Sequence, residues 1–167
     1  MKKTVLVIVG LVLSVIQFTV TWRFQLGWHN YGLALCAVIA ISSFDMKAGL
    51  ICGGICGFLT DCIQGRIFGI NIVLLIISAL LAGFLALRMN GKNLITVIVL
   101  TFAVTFIVEF LQYWLYLALN GSGNISFALT KIIFPQAFIN AVCAVPVYIL
   151  VKILWKKMKM QKDRWDY

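Results

Sequence analysis

Apolar residues in this chain gather into long runs that neither alternate with polar ones nor stop at the length of a soluble helix. Six runs follow one another, at about 4–22, 28–44, 48–63, 69–87, 94–119 and 132–155. A membrane-spanning strand takes about ten residues and alternates with a period of two. These runs do neither, so the pattern predicts helices. A helix crossing about 30 Å of hydrocarbon needs about 20 residues. The expected fold is an all-α membrane protein, a six-transmembrane-helix bundle. The second and third runs are short by that measure, which points to low tilt, local thinning of the bilayer or a partly re-entrant path.

Composition agrees with lipid as the main solvent. Hydrophobic residues make up 63% of the 167 positions and charged ones 11%, with a mean hydropathy of +1.05. So few charges cannot clothe a soluble domain of this size. No linker, repeat or low-complexity tract interrupts the pattern, so residues 1–167 read as a single polytopic membrane domain with a basic tail at 156–167. The opening Met1-Lys2-Lys3 resembles the start of a signal peptide. The apolar run behind it is too long for one and lacks a small-x-small cleavage site before Trp22, so it reads as a retained first helix. All five cysteines (Cys36, Cys52, Cys56, Cys62, Cys143) lie in apolar runs and read as small buried hydrophobes. Cys52 and Cys56 share a helix face without a histidine, so neither metal nor cofactor is expected.

The basic residues predict orientation. With the N-terminus inside, the cytoplasmic side carries Lys2, Lys3, Lys47, Arg88, Lys92, Lys152, Lys156, Lys157, Lys159, Lys162 and Arg164. The outer side carries Arg23, Arg66 and Lys131. Eleven against three is a strong positive-inside bias and predicts both ends in the cytoplasm, N-in/C-in. The net charge of +9 therefore needs no nucleic acid as partner, and the basic tail faces anionic lipid headgroups. Trp22, Trp28, Trp155 and Trp165 fall near the interfaces, as an aromatic belt does. His29, beside Trp28, reads as an interfacial polar residue.

Two groups of residues call for explanation. Gly49, Gly53 and Gly57 recur every four residues, and Asp61 continues their face. Glycines so spaced form a groove that lets another helix approach at backbone distance, either within the bundle or from a docking partner. Asp61 and Glu109 are the only carboxylates inside spans, where an ionised group is costly unless paired or wet. Gln112, Tyr113 and Tyr116 share the face of Glu109, and a hairpin between the fifth and sixth spans brings Gln136 and Asn140 to a similar depth. The expectation is an outer-half polar cluster, with Asn140 or Gln136 as the partner of Glu109. It would serve as a register-setting network, a small-ligand pocket or a partner contact. Pro135 is expected in the first turn of the sixth helix, and Pro146 in its middle, where it should kink the helix. No nucleophile–base pair, phosphate loop or metal-ligand cluster is present, so the chain does not read as an enzyme.

The stretch GLICGGICGFLTDCIQGRIFGINIVLLIISALLAGFL, with Gly57, Phe58, Asp61, Gly69 and Asn71, resembles the rod shape-determining protein MreD family. The ending FPQAFINAVCAVPVYILVKILWKK, with Pro135, Asn140, Pro146 and a basic tail, is also similar. The resemblance implies a non-catalytic multi-pass subunit of the bacterial cytoplasmic membrane, within the cell-elongation machinery. It implies binding to MreC, indirect links to MreB, RodA and its transpeptidase, and a part in organising lateral-wall peptidoglycan synthesis. The other reading is a substrate-binding subunit of an energy-coupling-factor vitamin transporter, also a small basic six-helix bundle and similar in expected fold. Such subunits carry small-xxx-small pairs on the first helix, where only Gly10 and Ser14 qualify here.

Overall fold

A computed structural model describes residues 2–24, 32–64, 68–88, 93–120, 123 and 125–163. The order of elements is α1 (Lys2–Phe24), α2 (Gly32–Phe44), α3 (Met46–Gln64), α4 (Ile70–Arg88), α5 (Leu94–Asn120), a single turn α6 (Ile125–Ala128), a π-helical turn (Leu129–Ile133) and α7 (Phe134–Asp163). Among the described residues there is no strand. Six principal helices thus match the six apolar runs. Among the described residues, four helical stretches are long and apolar enough to cross a membrane: Met46–Ile63, Ile70–Arg88, Leu94–Leu115 and Ile125–Lys157. The apolar parts of α1 and α2, Thr4–Thr19 and Gly32–Phe44, are shorter.

The third run does not give a short helix. A single residue, Asp45, joins α2 to α3, and its Oδ1 accepts the backbone N–H groups of Lys47 (3.0 Å) and Ala48 (3.2 Å). That side-chain cap satisfies first-turn donors and starts α3 at Met46. Its 19 residues reach about 28 Å at about 1.5 Å per residue.

The second run gives a helix of 13 residues, about 20 Å long. α2 packs against α1, α3, α4, α5 and α7, and Ala34 through Ser42 are all buried. A helix that is apolar all round and enclosed by its neighbours has no lipid contact to match. One donor of its first turn is satisfied from outside, since Gln17 of α1 accepts the Ala34 N–H through Oε1 at 2.8 Å. Unpaired donors are costly in hydrocarbon, so this bond fixes where α1 meets the start of α2.

Antiparallel neighbours follow from the close contacts. Gly10 of α1 lies by Ile41 near the end of α2, and Gly83 near the end of α4 lies by Met46 at the start of α3. "Lower end" denotes the side where α2 passes into α3, and "upper end" the side where α3 passes into α4. Phe44 stacks on Tyr148 (5.8 Å between ring centroids) and meets Trp155 (5.7 Å), tying α2 to α7 toward the lower end. Buried hydroxyls of Ser14, Ser42, Thr60, Ser78 and Thr101 donate to carbonyls four residues back, so they enter the core satisfied. The outward surfaces are apolar, with Ile8, Val12, Ile95, Trp114, Phe138 and Ile153 all more than half exposed.

Pro135 is the second residue of α7, in its first turn, with helical backbone already running ahead of it from Ile125. The Phe134 N–H bonds the Leu129 carbonyl five residues back, in the π-helical turn. A proline ring clashes with the carbonyl four residues before it in a regular α-helix. The wider π turn directly ahead of Pro135 accommodates that ring without ending the helix. α7 also runs through Pro146, which lies on its exposed side.

Candidate functional site

The glycine face of α3 is filled by this chain's own helices. A methyl group at Gly53 would lie 2.8 Å from the Leu75 carbonyl oxygen of α4. At Gly57 it would lie 2.5 Å from the Ile72 Cα and 2.8 Å from the Asn71 carbonyl oxygen. Gly49 lies against Ser42 of α2. Glycine is therefore what lets the α3 and α4 backbones touch.

Asp61 closes the same hairpin from above. Its side chain is 3% exposed and accepts three backbone N–H groups: Gly69 (3.0 Å) and Ile72 (3.2 Å) at Oδ2, and Asn71 (3.1 Å) at Oδ1. These are the donors at the start of α4 that have no acceptor within their own helix. A carboxylate there also faces the positive end of the helix dipole. Gly69 has φ +101°, a conformation that side chains rarely adopt, and so turns its N–H back toward Asp61. Gly57, Asp61, Gly69 and Asn71 thus belong to one device, a lock on the α3–α4 turn. Gly65 and Arg66, within that turn, lie outside the described residues.

The second assembly joins α5 to α7. Glu109 is 7% exposed, and its Oε1 accepts a hydrogen bond from Gln136 Nε2 at 2.7 Å. Of the two partners expected for Glu109, it is Gln136 that holds it. Asn140 sits one turn further along α7, fully enclosed, with its Oδ1 against Gly32. The Asn140 backbone carbonyl accepts the Cys36 thiol at 3.2 Å, so α2 joins this contact. Gln112 and Tyr113 are half-buried further up α5, with the Tyr113 hydroxyl near Gly123. Tyr116's side chain, Trp22's side chain, Trp28, His29 and Trp165 lie outside the described residues.

Two features were not expected: Gln17, whose Oε1 accepts the Ala34 N–H at the start of α2, and the burial of Asn71 in the first turn of α4. The signal for Gln17 was a lone amide inside an apolar run, where an unpaired polar group is unfavourable. Among the described residues, no three or more of His, Cys, Asp and Glu lie close enough to hold a metal. What these groups do chemically is hold helices together by hydrogen bonds.

The Glu109–Gln136 bond gives a graded expectation. Glu109→Gln keeps an oxygen acceptor and should lose little stability. Glu109→Leu takes this acceptor from the Gln136 amide and should cost about 1–2 kcal/mol, the scale of strong interhelical bonds in membranes. Thermal unfolding in detergent measures both; equal midpoints for wild type and Glu109→Leu would show that the bond contributes nothing.

The family model described as rod shape-determining protein MreD matches residues 2–158 of the chain. No curated protein and no solved structure matches it.

Proposed function

The chain belongs to the MreD family of rod shape-determining proteins, and from that premise we propose that it is a non-catalytic membrane subunit of the bacterial cell-elongation complex. In this reading it sits in the cytoplasmic membrane, binds MreC and through it connects to MreB, RodA and its transpeptidase. Its contribution is to help organise lateral-wall peptidoglycan synthesis. The observation that carries the proposal is the family match along nearly the whole chain, on a bundle whose outer surfaces are apolar. A fold in common with the substrate-binding subunits of energy-coupling-factor transporters is part of the proposal; vitamin binding is not.

The proposed topology has both ends in the cytoplasm, so the lower end faces inward. Lys47, Arg88, Lys152, Lys156 and Lys157 belong to that end, and the basic tail lies against anionic lipids. The glycine face and Asp61 are proposed as packing elements, and the Glu109 cluster as the device that sets the register of α5 on α7. In a cysteine-free background, a cysteine at position 123 should react with an impermeant reagent on intact cells, and one at position 90 only after lysis. The reverse pattern would overturn the topology.

Function is tested by tagging the chain, extracting it in mild detergent and identifying what co-purifies. The expected result is MreC, together with loss of rod shape on depletion of this protein. Normal rods on depletion, with no MreC recovered, would overturn the proposal.

A further inference from the structure

Glu109 and Gln136 make one level of contact between α5 and α7, and the next level down is different in kind. Thr105 lies one turn before Glu109 on α5, and Asn140 one turn after Gln136 on α7. Because the two helices run in opposite directions, both steps lead toward the lower end and reach a common level. Thr105 is completely buried and Asn140 is 1% exposed. Thr105 Oγ1, Asn140 Oδ1 and Asn140 Nδ2 are buried and have no hydrogen-bond partner among the described residues. Thr101, one turn below, gives its hydroxyl to the Val97 carbonyl at 2.8 Å, so the arrangement at Thr105 is not the rule for this helix. The Asn140 oxygen points at the start of α2, where a methyl group on Gly32 would lie 2.8 Å from it.

The chemistry of the three atoms narrows what can join them. Asn140 Nδ2 only donates, Asn140 Oδ1 only accepts, and the Thr105 hydroxyl does either. A cation would satisfy the oxygens alone, and an anion would leave Oδ1 unpaired. The guest must be neutral and must both donate and accept. Val104, Val108, Ala137 and Ala141 beside this level are buried and bring no polar side-chain atom. Water is the smallest molecule that makes all three contacts, and three partners is the usual number for a buried water. We propose that one water molecule binds between Thr105 and Asn140 at the start of α2, and bridges α5 to α7 one turn below the direct Glu109–Gln136 bond. This site is independent of the cell-elongation reading, and its test uses the purified protein alone.

Thr105→Val and Asn140→Leu keep side-chain size while removing the polar atoms. With the water in place, each variant breaks the bridge and lowers the thermal midpoint. The double variant then loses clearly less than the two single losses together, because the bridge is lost only once. In ¹⁵N-labelled protein in deuterated detergent, the Asn140 side-chain amide should show a cross-peak to water that disappears in Thr105→Val. That spectrum stands even if Asn140→Leu fails to fold. A higher midpoint in either single variant, strictly additive losses or no water cross-peak would overturn the proposal. So would a stoichiometric small solute released on denaturation and seen by mass spectrometry.

Discussion

Gly57→Ala should unseat the α3–α4 hairpin, whereas Gly54→Ala, three residues away on the same helix, should leave it intact or strengthen it. The added methyl at Gly57 meets the Ile72 Cα at 2.5 Å and the Asn71 carbonyl oxygen at 2.8 Å. Both are backbone atoms, which cannot swing aside as a side chain can, so the helices must separate. Overpacking of this kind costs about 1–3 kcal/mol or more. The same methyl at Gly54 has only the Ile76 Cδ1 nearby, at 3.9 Å, an ordinary contact. There the better helix propensity of alanine is worth up to about 1 kcal/mol. Gly53→Ala belongs with Gly57→Ala, because its methyl lies 2.8 Å from the Leu75 carbonyl oxygen. Midpoints measured in one detergent should fall for positions 53 and 57 and hold or rise for 54. Three equal responses would show that the face does not pack at backbone distance.

Asp61→Leu should be the most damaging single change outside the glycine face. It leaves the Gly69, Asn71 and Ile72 N–H groups without their acceptor, at the point where α4 begins. A stranded buried donor costs about 1–3 kcal/mol. The sum over three reaches several kcal/mol, less whatever water recovers at the membrane edge. Asp61→Asn keeps one oxygen acceptor, loses the second, and gives up the charge that favours the helix N-terminus. The expected order of stability is wild type, then Asp61→Asn, then Asp61→Leu. Limited proteolysis should show cleavage within 65–69 rising in that order, alongside falling thermal midpoints. Wild-type behaviour of Asp61→Leu would mean that the carboxylate does not hold the turn.

The glycine spacing and Asp61 were both visible in the sequence, yet their connection was not. A four-residue period says that two backbones meet, without naming the second helix. Asp61 read as the end of that face; its actual contacts are eight to eleven residues ahead, across a reversal that Gly69 makes possible. The pairing of Glu109 with a residue of the last helix was legible as far as two candidates. Gln136 and Asn140 are one turn apart on one face, and only the packed distance between α5 and α7 separates them. Pro135 was legible as a first-turn proline, whereas the π turn ahead of it was not, since a π turn leaves no mark in composition that distinguishes it.

The order of amino acids was enough to show that the chain is helical, that its outside is apolar, and that six runs give six principal helices. Those properties follow from local hydropathy and from the need to satisfy backbone hydrogen bonds where water is scarce. It also determined which positions are costly, namely the carboxylates and the glycines. Tertiary structure alone decided that the short α2 stands at the centre, since every apolar run looks equally suited to lipid. It alone decided which donors Asp61 and Gln17 satisfy, because those partners are set by how close unrelated parts of the chain come in space. Hydropathy is a property of single residues and their neighbours along the chain, whereas a hydrogen bond between helices is a property of a distance.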